Sequence, residues 1–224
     1  MSEWWTYTLS DFLLFSPRTY DRLFELYNVD VWPLQIAMAG AGLAIVAMAW
    51  KTAWQRGAFV LLSLCWAWVA WAFHLERYAQ INWAAPWFAG AFALQAALLA
   101  GTGAVVRAAP CVDTHSPSDR LRLVLALLVI VGYPLVAPVL GRPWTSGEAF
   151  GLAPDPTALA TLCLVMRRHG PACWTLAIVP TAWCAVGAAT LLAMESAQAY
   201  VVIVLALVAL ALPLARRRAA PRPR

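Results

Sequence analysis

Residues 66–86 read Trp66-Ala-Trp-Val-Ala-Trp-Ala-Phe-His-Leu-Glu-Arg-Tyr-Ala-Gln-Ile-Asn-Trp-Ala-Ala-Pro86. A tryptophan-rich apolar helix runs straight into His74, Glu76, Arg77, Tyr78, Gln80 and Asn82, and another apolar segment begins at once. That order describes a membrane span reaching an interface, where aromatic rings and polar groups collect.

The rest of the chain agrees with a membrane solvent. Hydrophobic residues make up 62% of it and charged residues only 12%, about half the charged share of a soluble domain. The charges sit in short clusters, and apolar stretches free of charge lie between them. The expected class is therefore an all-α, polytopic integral membrane protein, with the lipid bilayer as its first partner. The net charge of +5 is no nucleic-acid signature. The basic residues are spread over loops and a tail, with no basic stripe interleaved with aromatics. Cys65, Cys111, Cys163, Cys173 and Cys184 form no C-x-x-C pair. They read as buried, reduced thiols rather than a disulfide or zinc framework.

Residues 1–32 do not read as a signal peptide, because Glu3 precedes any basic group and Phe12–Phe15 is too short an apolar core. Ser16-Pro17 looks like an N-cap followed by proline at the first helical position. Tyr20, Leu23, Phe24, Tyr27 and Val31 then recur at helical spacing, with Arg18, Asp21, Arg22, Glu25 and Asn28 opposite. This predicts an amphipathic helix at the membrane surface, flanked by Trp4, Trp5, Tyr7 and Trp32 at headgroup level.

Seven apolar segments follow, roughly 34–50, 57–75, 84–106, 121–140, 150–166, 171–194 and 197–215, each compared with the ~20 residues needed to cross a bilayer. They predict a seven-helix bundle over 33–215 and a basic tail over 216–224. The fifth segment is short and interrupted by Pro154-Asp155-Pro156. It is open to three forms: a short tilted span, a re-entrant segment, or a crossing whose first half is not helical. Counting seven puts twelve basic residues on one side and four on the other. The positive-inside rule then sets the N-terminus in the periplasm of a bacterial inner membrane and the C-terminus in the cytoplasm. Pro134, Pro138, Pro180 and Pro213 predict kinks or breaks within spans.

Three places could carry chemistry. On a regular helix Trp71, His74 and Tyr78 share a face. His74, Glu76, Arg77 and Asn82 could form an outward-facing site for a polar or charged solute, or simply an interfacial anchor. Asp155 lies between two prolines at the mouth of the short segment, where a carboxylate could meet a substrate or only cap a helix. Glu195, beside Ser196 and Gln198, ends the sixth segment and reads as an outer turn. Gln35 and Gln95 read as interhelical glue.

Several functions are argued against. Lys51 is the one lysine and lies in a loop, so no Schiff base can form in the last span. His115 and His169 also lie in loops, so no histidine pair is set for a haem. The H-E-x-x-H, phosphate-loop and G-x-S-x-G patterns are absent. No cofactor, metal or nucleic acid is expected. Three functional readings stay open. One is a small-solute or ion transporter with an outer vestibule at His74, Glu76, Arg77, Asn82 and Asp155. The second is an accessory or assembly subunit docking a protein partner through its N-terminal helix. The third is a lipid- or quinone-modifying enzyme.

Three segments resemble an uncharacterised bacterial family of short polytopic inner-membrane proteins. They are Trp4-Trp5-Thr6-Tyr7 through Trp32-Pro33, Phe73-His74 through Ala85, and Phe150-Gly151-Leu152-Ala153-Pro154-Asp155-Pro156-Thr157. The resemblance is best in the N-terminal half. It implies that the surface helix and the His74 cluster are family features on the outer face. The family often carries cysteine at the position of Asp155, so a thiol-specific role there does not extend to this chain. The family supplies no activity.

The topology is directly checkable. Single cysteines placed near residue 2 and in the 216–224 tail are expected to react with a membrane-impermeant maleimide from opposite sides of intact spheroplasts. Labelling from the same side would refute an odd number of crossings.

Overall fold

A computed structural model describes residues 15–51, 54–105, 117–166 and 171–219. Trp4, Trp5, Tyr7, Arg107, Cys111, His115, Arg167, Arg168, His169 and the last two arginines lie outside the described residues.

Ser16 and Pro17 start the first helix as their order predicts. The Ser16 hydroxyl accepts the Thr19 amide at 3.2 Å, and α1 covers Pro17–Asp30. Tyr20, Leu23, Phe24 and Tyr27 form its buried face. Helix α2 (Leu34–Trp50) leaves at 89° to α1. The chain continues through α3 (Gln55–Gln80), α4 (Ala85–Val105), α5 (Pro117–Val139), α6 (Pro154–Val165), α7 (Pro171–Ala193) and α8 (Gln198–Ala219). No strand occurs among the described residues.

Helices α3, α4, α5 and α7 are each long and apolar enough to cross a membrane, and α1 with α2 makes a fifth if the bent pair is one span. The expectation of seven full-length spans is not reached on helix length. The described apolar part of α8, Gln198–Leu212, falls short. The fifth segment differs most. Helix α6 has 12 residues and is about 18 Å long at 1.5 Å per residue, against ~30 Å of hydrocarbon. Every one of its residues is buried, so it is the central rod around which α5, α7 and α8 pack.

The connector from residue 140 to 153 holds a single 3-10 turn, Trp144–Ser146, and is otherwise irregular up to α6; residues 146–153 are buried as well. Such backbone survives only if protein satisfies its polar groups. Here it does. The Asn28 side-chain amide donates to the carbonyls of Thr145 (2.7 Å) and Gly147 (2.8 Å). The Tyr27 hydroxyl donates to the Leu152 carbonyl at 3.3 Å. Thr157 Oγ1 accepts the Gly151 amide at 2.9 Å and donates to the Ala153 carbonyl at 2.6 Å. Helix α1 thus serves as a support for the connector.

Two helices abandon the regular α ladder. Residues 69–75 of α3 form a wide π turn, with the Glu76 amide reaching back five residues to the Trp71 carbonyl. Residues 128–132 of α5 form another, followed by a tight turn at 133–135. Pro134 cannot donate and crowds the carbonyl four residues before it, so the ladder fails there as its proline pair predicts. Helix α7, by contrast, runs unbroken through Pro180. The carbonyl that Pro180 leaves without a donor is that of Leu176, and the buried Gln95 side chain donates to it at 2.9 Å. An interhelical hydrogen bond replaces the missing rung.

Glycine is required at residue 151. Its φ is +76°, and a Cβ there would lie 2.9 Å from Met38 Sδ. A left-handed non-glycine residue costs roughly 1–2 kcal/mol. Gly151→Ala is therefore expected to lower the unfolding temperature of the detergent-solubilised protein. Gly40→Ala, where an added Cβ meets nothing within 4 Å, should change it little. Equal behaviour of the two variants would contradict the geometry.

Candidate functional site

Asp155 stands at the second position of α6 and is 1% exposed. The Trp183 indole N–H donates to Asp155 Oδ1 at 2.7 Å. Trp183 lies in the middle of α7, about 18 Å along the helix from Pro171 and about 15 Å from Ala193. The carboxylate therefore sits near half depth in the bundle, where the irregular connector becomes helix. One turn beyond Trp183, Gly187 leaves room for it: a Cβ at Gly187 would lie 2.9 Å from Asp155 Oδ1.

From Asp155 a string of polar side chains runs to the connector end. The Tyr133 hydroxyl, delivered by the tight turn after the α5 π turn, points at Asp155 Oδ2 across 3.5 Å. Gln198, the first residue of α8, donates from Nε2 to the Tyr133 oxygen at 3.2 Å and to Glu148 Oε1 at 2.6 Å. The Arg142 guanidinium donates to Gln198 Oε1 at 2.5 Å and to the Ser146 carbonyl at 3.2 Å, and is ion-paired to Asp21 at 3.1 Å. Glu148 is 3% exposed, whereas the Asp21 side chain is 32% exposed. The string thus links a partly hydrated surface to the middle of the bundle.

At the outer end of this string partial burial raises the Asp21 carboxyl, because leaving water disfavours the charged form, with Arg142 pulling the other way.

The six residues singled out from the sequence separate. His74 is fully buried, and neither ring nitrogen has a hydrogen-bond partner. Its ring lies among Phe92 (4.5 Å between centroids), Trp183 (5.0 Å) and Phe73 (5.3 Å). Trp183 therefore touches both His74 and Asp155, and the structure brings those two residues to one indole. Both residues are buried. Arg77 instead pairs with Asp30 at 2.7 Å along a surface groove shared with Arg18 and Arg22. Asn82 Oδ1 accepts the Ala84 amide at 2.9 Å in the turn before α4. Glu76 is exposed. Glu195 is exposed with φ +56° in the tight α7–α8 turn. The shared face of Trp71 and His74 is also lost. Trp71 is 55% exposed, because the π turn advances fewer degrees per residue than an α turn and rotates the two apart.

Glu148, Tyr133, Trp183, Gln198 and Arg142 escaped the sequence reading as site residues. Glu148 carried the best signal, since it and Asp155 are the two charges between Arg142 and Arg167. Tyr133 and Trp183 look like ordinary membrane aromatics until their partner is known. Among the described residues no group of three or more histidine, cysteine or acidic side chains could hold a metal ion.

Apolar helices of spanning length around a buried polar string define a helical protein of membrane type. The particular family follows from its sequence: the chain belongs to the family of unknown function DUF6064, whose model matches residues 18–224. No curated protein and no solved structure matches the chain.

The indole–carboxylate contact can be tested alone. A hydrogen bond to a charged group contributes roughly 1.5–3 kcal/mol. Trp183→Phe should therefore lower the unfolding temperature clearly, while Trp87→Phe, at a residue 76% exposed, should leave it unchanged. No difference between them would mean that the contact contributes nothing.

Proposed function

We propose that the protein moves a small solute or an ion across a bacterial inner membrane. In this reading α2, α3, α4, α5, residues 150–166 including α6, α7 and α8 make seven crossings. Helix α1 lies at the periplasmic surface and the arginine-rich tail in the cytoplasm. Helix α1 meets the end of α3 through Arg77–Asp30 and the stretch at 145–147 through Asn28, which supports grouping these on one side. The basic bias of the alternate connectors supports calling that side periplasmic.

One observation carries the functional part: a hydrogen-bonded string leads from half-exposed Asp21 to Asp155 at the start of a half-length helix. Buried ionisable groups at membrane depth are expensive, and broken helices near the midplane are where transported species meet backbone dipoles. The route is thus through the Glu148–Gln198–Tyr133–Asp155 string, and the cluster of Glu76, Arg77 and Asn82 lies at its periplasmic surroundings. The accessory-subunit reading loses ground, because the apolar face of α1 already packs on its own bundle. Phe24 stacks on Phe73 at 5.1 Å and Tyr20 meets Tyr78 at 6.3 Å.

Purified protein in liposomes on a solid-supported membrane should give charge displacement under imposed H⁺, Na⁺ or K⁺ gradients. Asp155→Asn should reduce the signal at least about tenfold, equivalent to ~1.4 kcal/mol on the limiting barrier. Wild-type protein indistinguishable from empty liposomes under every gradient would refute the reading for these ions.

A further inference from the structure

The string holds three carboxyls, Asp21, Glu148 and Asp155, against the single guanidinium of Arg142. Arg142 is paired with Asp21, and among the described residues neither Glu148 nor Asp155 has an ion pair of its own. Both are almost wholly buried, and two bare charges in that setting are strongly disfavoured. A positive charge has to accompany them, either a metal cation or a proton.

The donor set distinguishes these. A hard metal cation needs several converging oxygen acceptors. Around Asp155 the groups present are donors instead. The Trp183 indole has an N–H and no acceptor, and it occupies Oδ1. The Tyr133 hydroxyl faces Oδ2. The Gln198 amide nitrogen spans Tyr133 and Glu148, while its carbonyl is taken by Arg142. A second observation points the same way. Glu148 Oε2 is buried without a hydrogen-bond partner, although the other oxygen of that carboxyl is held by Gln198. An oxygen left bare there needs no cage of ligands if it carries hydrogen.

We propose that Glu148 and Asp155 bind a proton as one unit, so that the ion handled at this site is H⁺ rather than a metal cation. This deepens the transport reading and rests on it for its purpose, though not for its geometry. The proton comes from water at the Asp21 end. It neutralises one carboxylate and leaves the other to accept the indole and hydroxyl hydrogens. The titratable or charged groups around the pair are Tyr20 and Asp21 on α1, Tyr78 at the end of α3, Tyr133 on α5, Arg142 on the connector and Cys184 on α7.

Infrared difference spectra of the full-length protein in lipid, perfused across a pH series, test this without any transport. A protonated carboxyl C=O band should grow in with a midpoint above the ~4.3 of an ordinary glutamate, and saturating Na⁺ or K⁺ should leave that midpoint in place. Glu148→Gln should remove part of the band. Asp155→Asn should move the remaining midpoint down, because a neighbouring negative charge is gone. A midpoint lowered by Na⁺ or K⁺ would reveal a competing metal site and overturn the proposal, as would the absence of any titrating band. The wild-type protein alone decides both points if a variant fails to fold. A titrating, cation-insensitive band in a protein that gives no charge displacement would retain the proton site and remove the transport reading.

Discussion

Irregular backbone inside a membrane must be enclosed by protein, because lipid offers its amides and carbonyls nothing. Most features of this chain follow from that constraint. The stretch before α6 is not helical, yet it is buried. Its polar groups therefore draw on side chains from elsewhere: Asn28 and Tyr27 from α1, and Thr157 from the helix it leads into. Helix α1 supplies those donors from its buried side, and α6 begins only after this stretch, at Pro154.

The interior that results is polar along one line and aromatic on the other side of it. Trp183 is the boundary, with its N–H on Asp155 and its ring in edge-to-face contact with His74 and Phe92. Gly187 keeps the carboxylate's place open. Further along α6, buried Thr161 accepts the Trp66 indole at 2.8 Å and donates back to the Thr157 carbonyl. Arg122 donates to the Met166 carbonyl at 2.6 Å, at the end of α6 where the helix dipole favours a cation. Both ends of the central rod are therefore met by side chains of matching polarity.

The apolar segments and the Ser16-Pro17 start were readable because they depend on local composition and local hydrogen bonding. Asp155 stood out for the same reason, as a carboxylate between prolines. What the sequence did not expose were relations between distant residues. Tyr133, Trp183 and Gln198 acquire meaning only through Asp155 and Glu148, which lie on other elements. The burial of His74 was hidden by assuming a regular α turn. A register change of that kind leaves no mark in hydrophobic periodicity when neighbouring residues on every side are apolar. Pro180 misled in the opposite sense, since Gln95 on another helix repairs the rung it removes.

The wide turn at residues 69–75 has the arithmetic of one extra residue carried inside a helix. Losing a single codon there would let the ladder close into ordinary α geometry. Everything downstream as far as Gln80 would then swing by roughly a quarter of a circle. The guanidinium of Arg77 would part from Asp30, and the aromatic seat of α1 would come apart. The number of residues in this stretch therefore matters more to the fold than the identity of its exposed Trp71.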